Sequence, residues 1–131
     1  PLTVTYHDPC HLGRHNNIYD EPRRVLRAIP GVKLVEMPRH RSFSSCCGMG
    51  SGLKLAYPEV QLKMSAGRIK EAEATAADAV VTPCQTCAMG LQPAVEELSS
   101  PIKVYHSNEV LIRSICPDVT GEAVIEAFSR R

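Results

Sequence analysis

Short runs of β-branched and apolar residues alternate along the chain with longer stretches of mixed apolar and polar residues. The short runs predict strands at Leu2–His7, Val32–Met37, Ala79–Thr82 and Ile102–Tyr105. The longer stretches predict helices over Asp20–Ile29, Glu59–Ala77, Asn108–Ile115 and Glu122–Ser129, and from about Gln85 with an interruption near Pro93. Strands that alternate with helices favour a parallel sheet, so we predict an α/β fold of roughly four parallel strands flanked by helices, in a Rossmann-like three-layer arrangement.

The longest predicted helix, Glu59–Ala77, follows a polar, Ser- and Gly-rich segment over Arg39–Gly52 that predicts a loop. Apolar residues recur in the helix at steps of three or four and form one stripe: Leu62, Ala66, Ile69, Ala72 and Ala76. The charged residues between them, Arg68 included, are predicted to form a solvated face.

The composition is that of one globular domain. The chain has 131 residues, of which 44% are hydrophobic and 22% charged, and its formal charge is +1. This near-neutral balance excludes the strongly basic surface of a nucleic-acid-binding protein, and no apolar run has the length needed to span a bilayer. The chain begins with Pro1 and runs at once into a predicted strand, so we expect residues 1–131 to be a single domain cut from a longer chain.

Six cysteines are the unusual feature of the composition. A domain of this size and apolar content does not need disulfides to fold, and no secretion signal precedes it. We therefore expect a reducing, cytoplasmic location, which includes the cytoplasmic face of a membrane complex. In that setting the cysteines are expected to serve as metal ligands or redox groups.

Five of the six cysteines follow predicted strands. Cys10 comes after the first strand, Cys46 and Cys47 lie in the loop after the second, and Cys84 and Cys87 open the helix after the third. The carboxyl ends of parallel strands meet at one edge of a sheet, so these side chains are expected to face the same rim. Cys84 and Cys87 also lie on one helical turn, which is close enough for them to share a metal.

The residues alone leave several kinds of site open. A single zinc ion needs only four ligands, so five convergent cysteines favour an iron–sulfur cluster, with zinc as the alternative. A thioredoxin-like dithiol at Cys84 and Cys87 is a further option, although it leaves three cysteines without a role. Cys116 has no partner in the pattern and is expected to be an ordinary thiol.

The cysteine spacing resembles that of the cysteine-rich CCG domain family. Thirty-five residues separate Cys10 from the Cys46-Cys47-Gly48 triplet, and thirty-five more separate that triplet from Cys84-Gln85-Thr86-Cys87. The pattern is similar to the B and D subunits of heterodisulfide reductase and to iron–sulfur subunits of glycolate, lactate and glycerol-3-phosphate oxidation systems. The resemblance implies a noncubane [4Fe-4S] cluster held by all five cysteines. Family chains usually carry two such units, whereas this chain carries one.

The resemblance implies an iron–sulfur oxidoreductase domain that acts on thiols or disulfides and works with ferredoxin-like or flavoprotein partners. Two alternatives remain: an electron-transfer subunit of a flavin- or quinone-linked dehydrogenase, and a zinc-stabilised interaction domain. Reduction of a disulfide also consumes protons. His11, beside Cys10, and His106, after the fourth strand, are the candidate donors because histidine titrates near neutrality. His7 and His15 are weaker candidates.

Overall fold

The computed structural model describes residues 1–118 and Ser129. Within this part of the chain the elements are β1 (Leu2–Tyr6), α1 (Asp20–Ala28), β2 (Val32–Val35), α2 (Leu53–Ala56), α3 (Pro58–Glu73), β3 (Ala79–Thr82), α4 (Gln85–Glu97), β4 (Lys103–His106) and α5 (Ser107–Ile115). The helix predicted over Glu122–Ser129 lies outside the described residues, apart from Ser129. None of the helices described is both long enough and apolar enough to cross a membrane.

The four strands form one sheet in the order β2-β1-β3-β4, and every neighbouring pair is parallel. From β1 the chain moves to β2 on one side, and it then passes β1 to enter β3 on the other side. The direction of travel therefore reverses between β1 and β3. In open parallel sheets this reversal leaves a crevice beyond the carboxyl ends of the two strands, where ligands bind.

Apolar side chains cover both faces of the sheet. On one face, Tyr6 and Val81 of the strands pack in the same buried cluster as Leu26 of α1 and Val110 of α5. On the other face, Val80 shares a cluster with residues of α3 and α4. Residues 80 and 81 face opposite ways because successive side chains of a strand alternate. The predicted three-layer α/β architecture is confirmed.

The buried face of α3 differs from the prediction. Its buried residues include Ile69 and Ala72 of the expected stripe, but also Gln61, Ser65 and Arg68. Arg68 is fully buried, so its assignment to a solvated face is wrong. The first half of the helix packs against the loop that carries Cys46 and Cys47, and polar side chains there bind backbone and side-chain groups of the site.

Helix α4 is also longer than predicted, because it continues through Pro93. Proline costs about 3 kcal/mol inside a helix, since it removes one backbone hydrogen bond. Here the neighbouring residues Leu91 and Ala94 are fully buried in the core and hold the helix in place. The carbonyl that loses its donor belongs to Met89, an exposed residue. Core packing thus outweighs the local preference of the proline.

The segment predicted as a loop over Arg39–Gly52 is largely irregular. It contains one short 3₁₀ turn at Arg41–Phe43, and the single-turn helix α2 follows it directly. The segment carries Cys46 and Cys47 from the end of β2 toward the first half of α3.

Candidate metal centre

The five motif cysteines gather at the carboxyl edge of the sheet. The sulfur atoms of Cys47 and Cys87 lie 3.4 Å apart. Cys10, Cys84 and Cys87 line one cavity of about 400 Å³. Cys46 lies close enough to Cys47 and Cys10 for their charges to affect its ionisation. The loops after β1 and β2 and the start of α4 after β3 therefore bring their thiols together beside the crevice between β1 and β3.

Gly48 shapes the loop that carries Cys46 and Cys47. Its φ of +77° lies in the left-handed region, which favours glycine. A Cβ atom at this position would also approach the Cγ atom of Gln61 to 3.2 Å. In this conformation the Gly48 backbone N–H donates to Cys46 Sγ at 3.3 Å. The glycine of the Cys-Cys-Gly triplet is thus needed both for its backbone angle and for the space around it.

Two side chains of α3 fix the position of Cys47. The amide nitrogen of Gln61 donates to the Cys47 carbonyl at 3.0 Å, and the Ser65 hydroxyl donates to the same carbonyl at 2.7 Å. All three residues are buried. Buried polar groups need such partners, because an unpaired one costs about 1–3 kcal/mol. The polar face of α3 therefore serves to hold the cysteine loop.

Cys47 and Cys87 form a buried pair whose sulfurs are within hydrogen-bond distance, at 3.4 Å. The hydrogen bond between Cys47 and Cys87 lowers the pKa of Cys47, and hydrogen bonds with His7 and with the Met49 backbone N–H lower it further against the effect of burial. The same contact with Cys47, together with burial, raises the pKa of Cys87. Burial raises the pKa of Cys46 as well. Cys47 is thus the cysteine whose thiolate form this environment favours.

At the start of α4, Cys84 caps the helix. Its sulfur accepts a hydrogen bond from the Cys87 backbone N–H at 3.4 Å. Pro83 separates the helix from β3, because a proline disfavours helical geometry in the residue before it. The strand–proline–helix sequence thus places Cys84 at the mouth of the site and Cys87 one turn deeper.

His7, a weaker candidate on sequence grounds, lies inside the site. It is 1% exposed. One of its ring nitrogens lies within 4.8 Å of both the Cys47 sulfur and the Cys87 sulfur. Its Nδ1 accepts a hydrogen bond from Arg68 Nε at 2.9 Å. Burial lowers the pKa of His7. In the sequence, the feature that could have identified His7 is its position directly after β1, which places it at the carboxyl edge of the sheet, next to the reversal.

His11 lies at the cavity, beside Cys10. It is one of the lining residues, and its Nδ1 is 3.3 Å from Cys10 Sγ. The ring of His15 stacks on it at a centroid distance of 4.8 Å. His15 is thereby oriented by His11, and it is not a lining residue of the cavity.

His106 ends β4 at the same edge of the sheet, but both of its ring nitrogens are engaged. Nδ1 accepts from the Asn108 backbone N–H at 3.2 Å and caps α5, and Nε2 lies 2.9 Å from the Pro83 carbonyl oxygen. Its ring lines a different cavity, of about 580 Å³, between α4 and α5. His106 therefore connects the N-terminus of α5 to Pro83, the residue before Cys84.

Comparison with known proteins agrees with this geometry. The CCG family, described as a cysteine-rich domain, matches residues 4–92, which include all five clustered cysteines. The chain belongs to the CCG family. Cys116 lies beyond the matched segment of this CCG domain, in an exposed position at the end of α5.

Curated relatives of the CCG domain include large redox proteins. The chain is 46% identical over 102 residues to the D subunit of the dihydromethanophenazine:CoB–CoM heterodisulfide reductase of Methanosarcina acetivorans. The match covers 78% of this chain and 25% of that protein. The chain is 38% identical over 115 residues to the probable iron-sulfur-binding oxidoreductase FadF of Bacillus subtilis, covering 86% and 16%. It is 36% identical over 111 residues to the B subunit of the fumarate reductase (CoM/CoB) of Methanothermobacter marburgensis, covering 84% and 22%. The chain therefore spans about a quarter or less of these relatives.

The donor atoms of the CCG domain fit an iron–sulfur cluster. Thiolates are the ligands that hold such clusters, and five sulfurs exceed the four that one tetrahedral zinc ion accepts. Backbone N–H groups already point at Cys46 and Cys47, as is common around cluster ligands. The Ser45 hydroxyl is buried with no hydrogen-bond partner among residues 1–118, so one donor next to Cys46 remains unused.

Proposed function

We propose that this CCG domain holds a noncubane [4Fe-4S] cluster and takes part in thiol–disulfide redox chemistry and electron transfer within a larger protein or complex. Cys10, Cys46, Cys47, Cys84 and Cys87 are the proposed ligands. The observation that carries the proposal is the convergence of these five thiols, from the segments that follow β1, β2 and β3, beside a cavity of about 400 Å³ at the reversal of the sheet.

The cavity supports a small thiol or disulfide as the substrate. Its lining combines apolar groups such as Leu12 and Pro83 with polar ones such as His11 and Asn16, and three of the proposed ligands face it. When bound, an iron–sulfur cluster supplies electrons and iron atoms with affinity for sulfur. Cleavage of a disulfide takes up two electrons and two protons and releases two thiols. A ferredoxin-like or flavoprotein partner is the proposed source of the electrons.

His11 is the better placed of the two proposed proton donors. Its ring lines the cavity, 3.3 Å from Cys10 Sγ. His106 would first have to give up its hydrogen bonds to Pro83 and Asn108. We therefore expect His11→Gln to lower disulfide reduction by the complete protein more than His106→Gln does. Equal and unchanged rates in both variants would remove His11 and His106 from the proton supply.

The nature of the metal is tested by anaerobic purification of the full-length protein. We expect a brown protein with about four irons and acid-labile sulfide, and loss of both in Cys47→Ser. Cys116→Ser is the matched control, because Cys116 is exposed and stands apart from the cluster. A colourless protein with one tightly bound zinc ion would overturn the cluster and support the interaction-domain alternative.

Electron transfer without a substrate at this domain is the second candidate, and iron content does not distinguish it. The cavity beside Cys10 favours direct contact with a thiol. We therefore expect a small thiol to change the electron paramagnetic resonance spectrum of the oxidised, loaded protein. A spectrum that stays unchanged at saturating thiol, in a protein that still exchanges electrons, would favour pure electron transfer to a flavin- or quinone-linked dehydrogenase.

The free thiols of the site accord with a reducing compartment. We propose the cytoplasm on that ground, with the remainder of a larger complex supplying the electron donor.

A further inference from the structure

Arg68 makes a fixed set of hydrogen bonds inside the protein. Its side chain is fully buried, and Nη1 donates to the Arg39 carbonyl and to the Glu71 carboxylate, both at 2.7 Å. Nη2 donates to the Ser44 hydroxyl at 3.0 Å, and Nε donates to His7 Nδ1 at 2.9 Å. With so many partners the guanidinium cannot turn away from His7 without leaving several buried groups unpaired.

This contact determines which nitrogen of His7 carries the proton. A guanidinium has only donors and stays protonated in proteins, so the nitrogen that faces it must offer a lone pair. His7 Nδ1 is therefore unprotonated. In a neutral imidazole the single proton must then be on Nε2.

We infer that Arg68 holds His7 as the Nε2–H tautomer, so that His7 donates a hydrogen bond to the Cys47 sulfur and does not bind a metal. A neutral imidazole has one lone pair, and Arg68 occupies it. The close grouping of the His7 ring with the sulfurs of Cys47 and Cys87 is consequently a hydrogen-bonded arrangement and not a set of three metal ligands.

The hydrogen bond from His7 also affects the electron chemistry, a step that rests on the proposed function. A hydrogen bond to a ligand sulfur stabilises the more negative, reduced form of an iron–sulfur centre. His7 is thus a residue that tunes the reduction potential, and Arg68 is the positioning residue that keeps its N–H directed at sulfur. Loss of the donor is expected to make the potential more negative while the five thiols still hold the metal.

The tautomer can be tested without any metal. The reduced, metal-free full-length protein is labelled with ¹⁵N-histidine, and the His7 resonances are assigned by comparison with His7→Gln. We expect a pyridine-type shift for Nδ1 and a protonated, pyrrole-type shift for Nε2. A protonated Nδ1 overturns the inference. Because this measurement needs no cluster, its outcome is independent of whether the proposed function is right.

The donor role is tested on the loaded full-length protein with two substitutions. His7→Gln can keep an N–H near the position of Nε2, whereas His7→Phe cannot. We expect unchanged iron content in both, a potential near the wild-type value in His7→Gln, and a more negative potential in His7→Phe. Equal potentials in all three proteins overturn the donor role. Loss of iron in both variants, restored by His7→Cys, shows that His7 is a ligand and also overturns it.

Arg68→Lys provides a second route if His7→Phe does not fold. Lysine keeps the positive charge near Glu71 but lacks the planar fork that reaches His7, Ser44 and Arg39 together. We expect both tautomers of His7 in its metal-free spectrum. A spectrum with Nε2–H alone in both Arg68→Lys and Arg68→Met, the second of which has no N–H to donate, shows that Arg68 does not select the tautomer and overturns its positioning role. Arg113→Lys, a substitution in α5 away from the cluster, is the control.

Discussion

The carboxylate of Asp8 and the guanidinium of Arg23 form a bidentate ion pair inside the protein. Two nearly parallel hydrogen bonds of 2.7 and 2.8 Å join them, and their side chains are 2% and 0% exposed. Arg23 also binds Glu36, at the end of β2, and Asp8 accepts the Arg41 backbone N–H at 2.7 Å. Burial alone raises the pKa of Asp8, but the hydrogen bonds from Arg23 and Arg41 outweigh it and lower that pKa. The pair thus ties the loop of Cys10 to the segment that leads to the other cysteines.

Arg23→Gln is expected to destabilise the protein strongly. The substitution leaves the carboxylate of Asp8 buried without its counter-ion, and breaking such a pair costs about 3–5 kcal/mol. Urea unfolding of the metal-free protein gives the change in free energy. Arg24→Gln is the matched control, since that neighbour is 73% exposed and its contact with Glu21 is a surface pair. We expect less than about 1 kcal/mol there. A similar small effect at Arg23 would show that the buried pair contributes little to stability.

The sequence allowed the fold and the edge of the sheet to be predicted because both follow from local patterns. Strand and helix periods are visible within a few residues, and parallel strands necessarily present their carboxyl ends together. The placement of Cys10, Cys84 and Cys87 at one cavity follows from these two facts. No knowledge of long-range contacts was needed for it.

Arg68 and His7 could not be predicted in the same way. They are 61 residues apart, and neither the helix pattern around Arg68 nor the strand before His7 indicates that they meet. A charged residue between apolar ones normally faces water, because burial of a charge without partners is costly. Arg68 is buried only because Ser44, Glu71 and a backbone carbonyl pair with it, and the loop that brings Ser44 has no periodic pattern to predict its path.

Gly90→Ala is expected to disturb the cysteine loop from the side of α4. A Cβ atom at Gly90 would lie 2.3 Å from Met49 Cγ, so the added methyl group cannot fit unless Met49 moves. We expect a loss of about 1–3 kcal/mol, as for other overpacked cores, together with reduced iron retention. Differential scanning calorimetry and iron analysis measure the two effects.

Gly67→Ala is the control for this substitution. Gly67 also lies inside a helix, α3, but an added Cβ there meets no atom within 4 Å. We expect it to stabilise the protein by about 0.5–1 kcal/mol, because alanine loses less backbone entropy than glycine. If both substitutions stabilise the protein, the contact between α4 and Met49 is not a constraint on the site.

Ser65 and Gln61 are expected to show coupled effects through the carbonyl of Cys47. In Ser65→Ala the carbonyl keeps its bond from Gln61, so we expect a loss of about 1 kcal/mol. With Gln61→Met added, the buried carbonyl has neither donor, which adds to the loss. The direct Gln61–Ser65 hydrogen bond of 2.9 Å is lost in each single variant and thus counted twice in their sum, so the double variant is expected to depart from that sum. Ser42→Ala, an exposed change in the same chain segment as the cysteines, is the control. Strict additivity in chemical unfolding would contradict a shared acceptor.

Oxidation of the metal-free protein is expected to join Cys47 to Cys87. Their sulfurs lie 3.4 Å apart, and the thiolate required for disulfide formation is favoured at Cys47. Diamide takes up the two electrons and two protons that the new bond releases. Peptide mapping by mass spectrometry identifies the linked pair, and a Cys116→Ser background prevents links between molecules through that exposed thiol.

A Cys84–Cys87 bond as the main product would contradict this expectation. It would mean that the first turn of α4 opens more readily than the buried pair closes, although Cys84 Sγ is engaged as the cap of that helix. It would also support the thioredoxin-like dithiol that the spacing of these two cysteines left open. The Cys47–Cys87 product, in contrast, requires the loop of Cys46 and Cys47 to lie against α4 in solution, as the proposed cluster site requires.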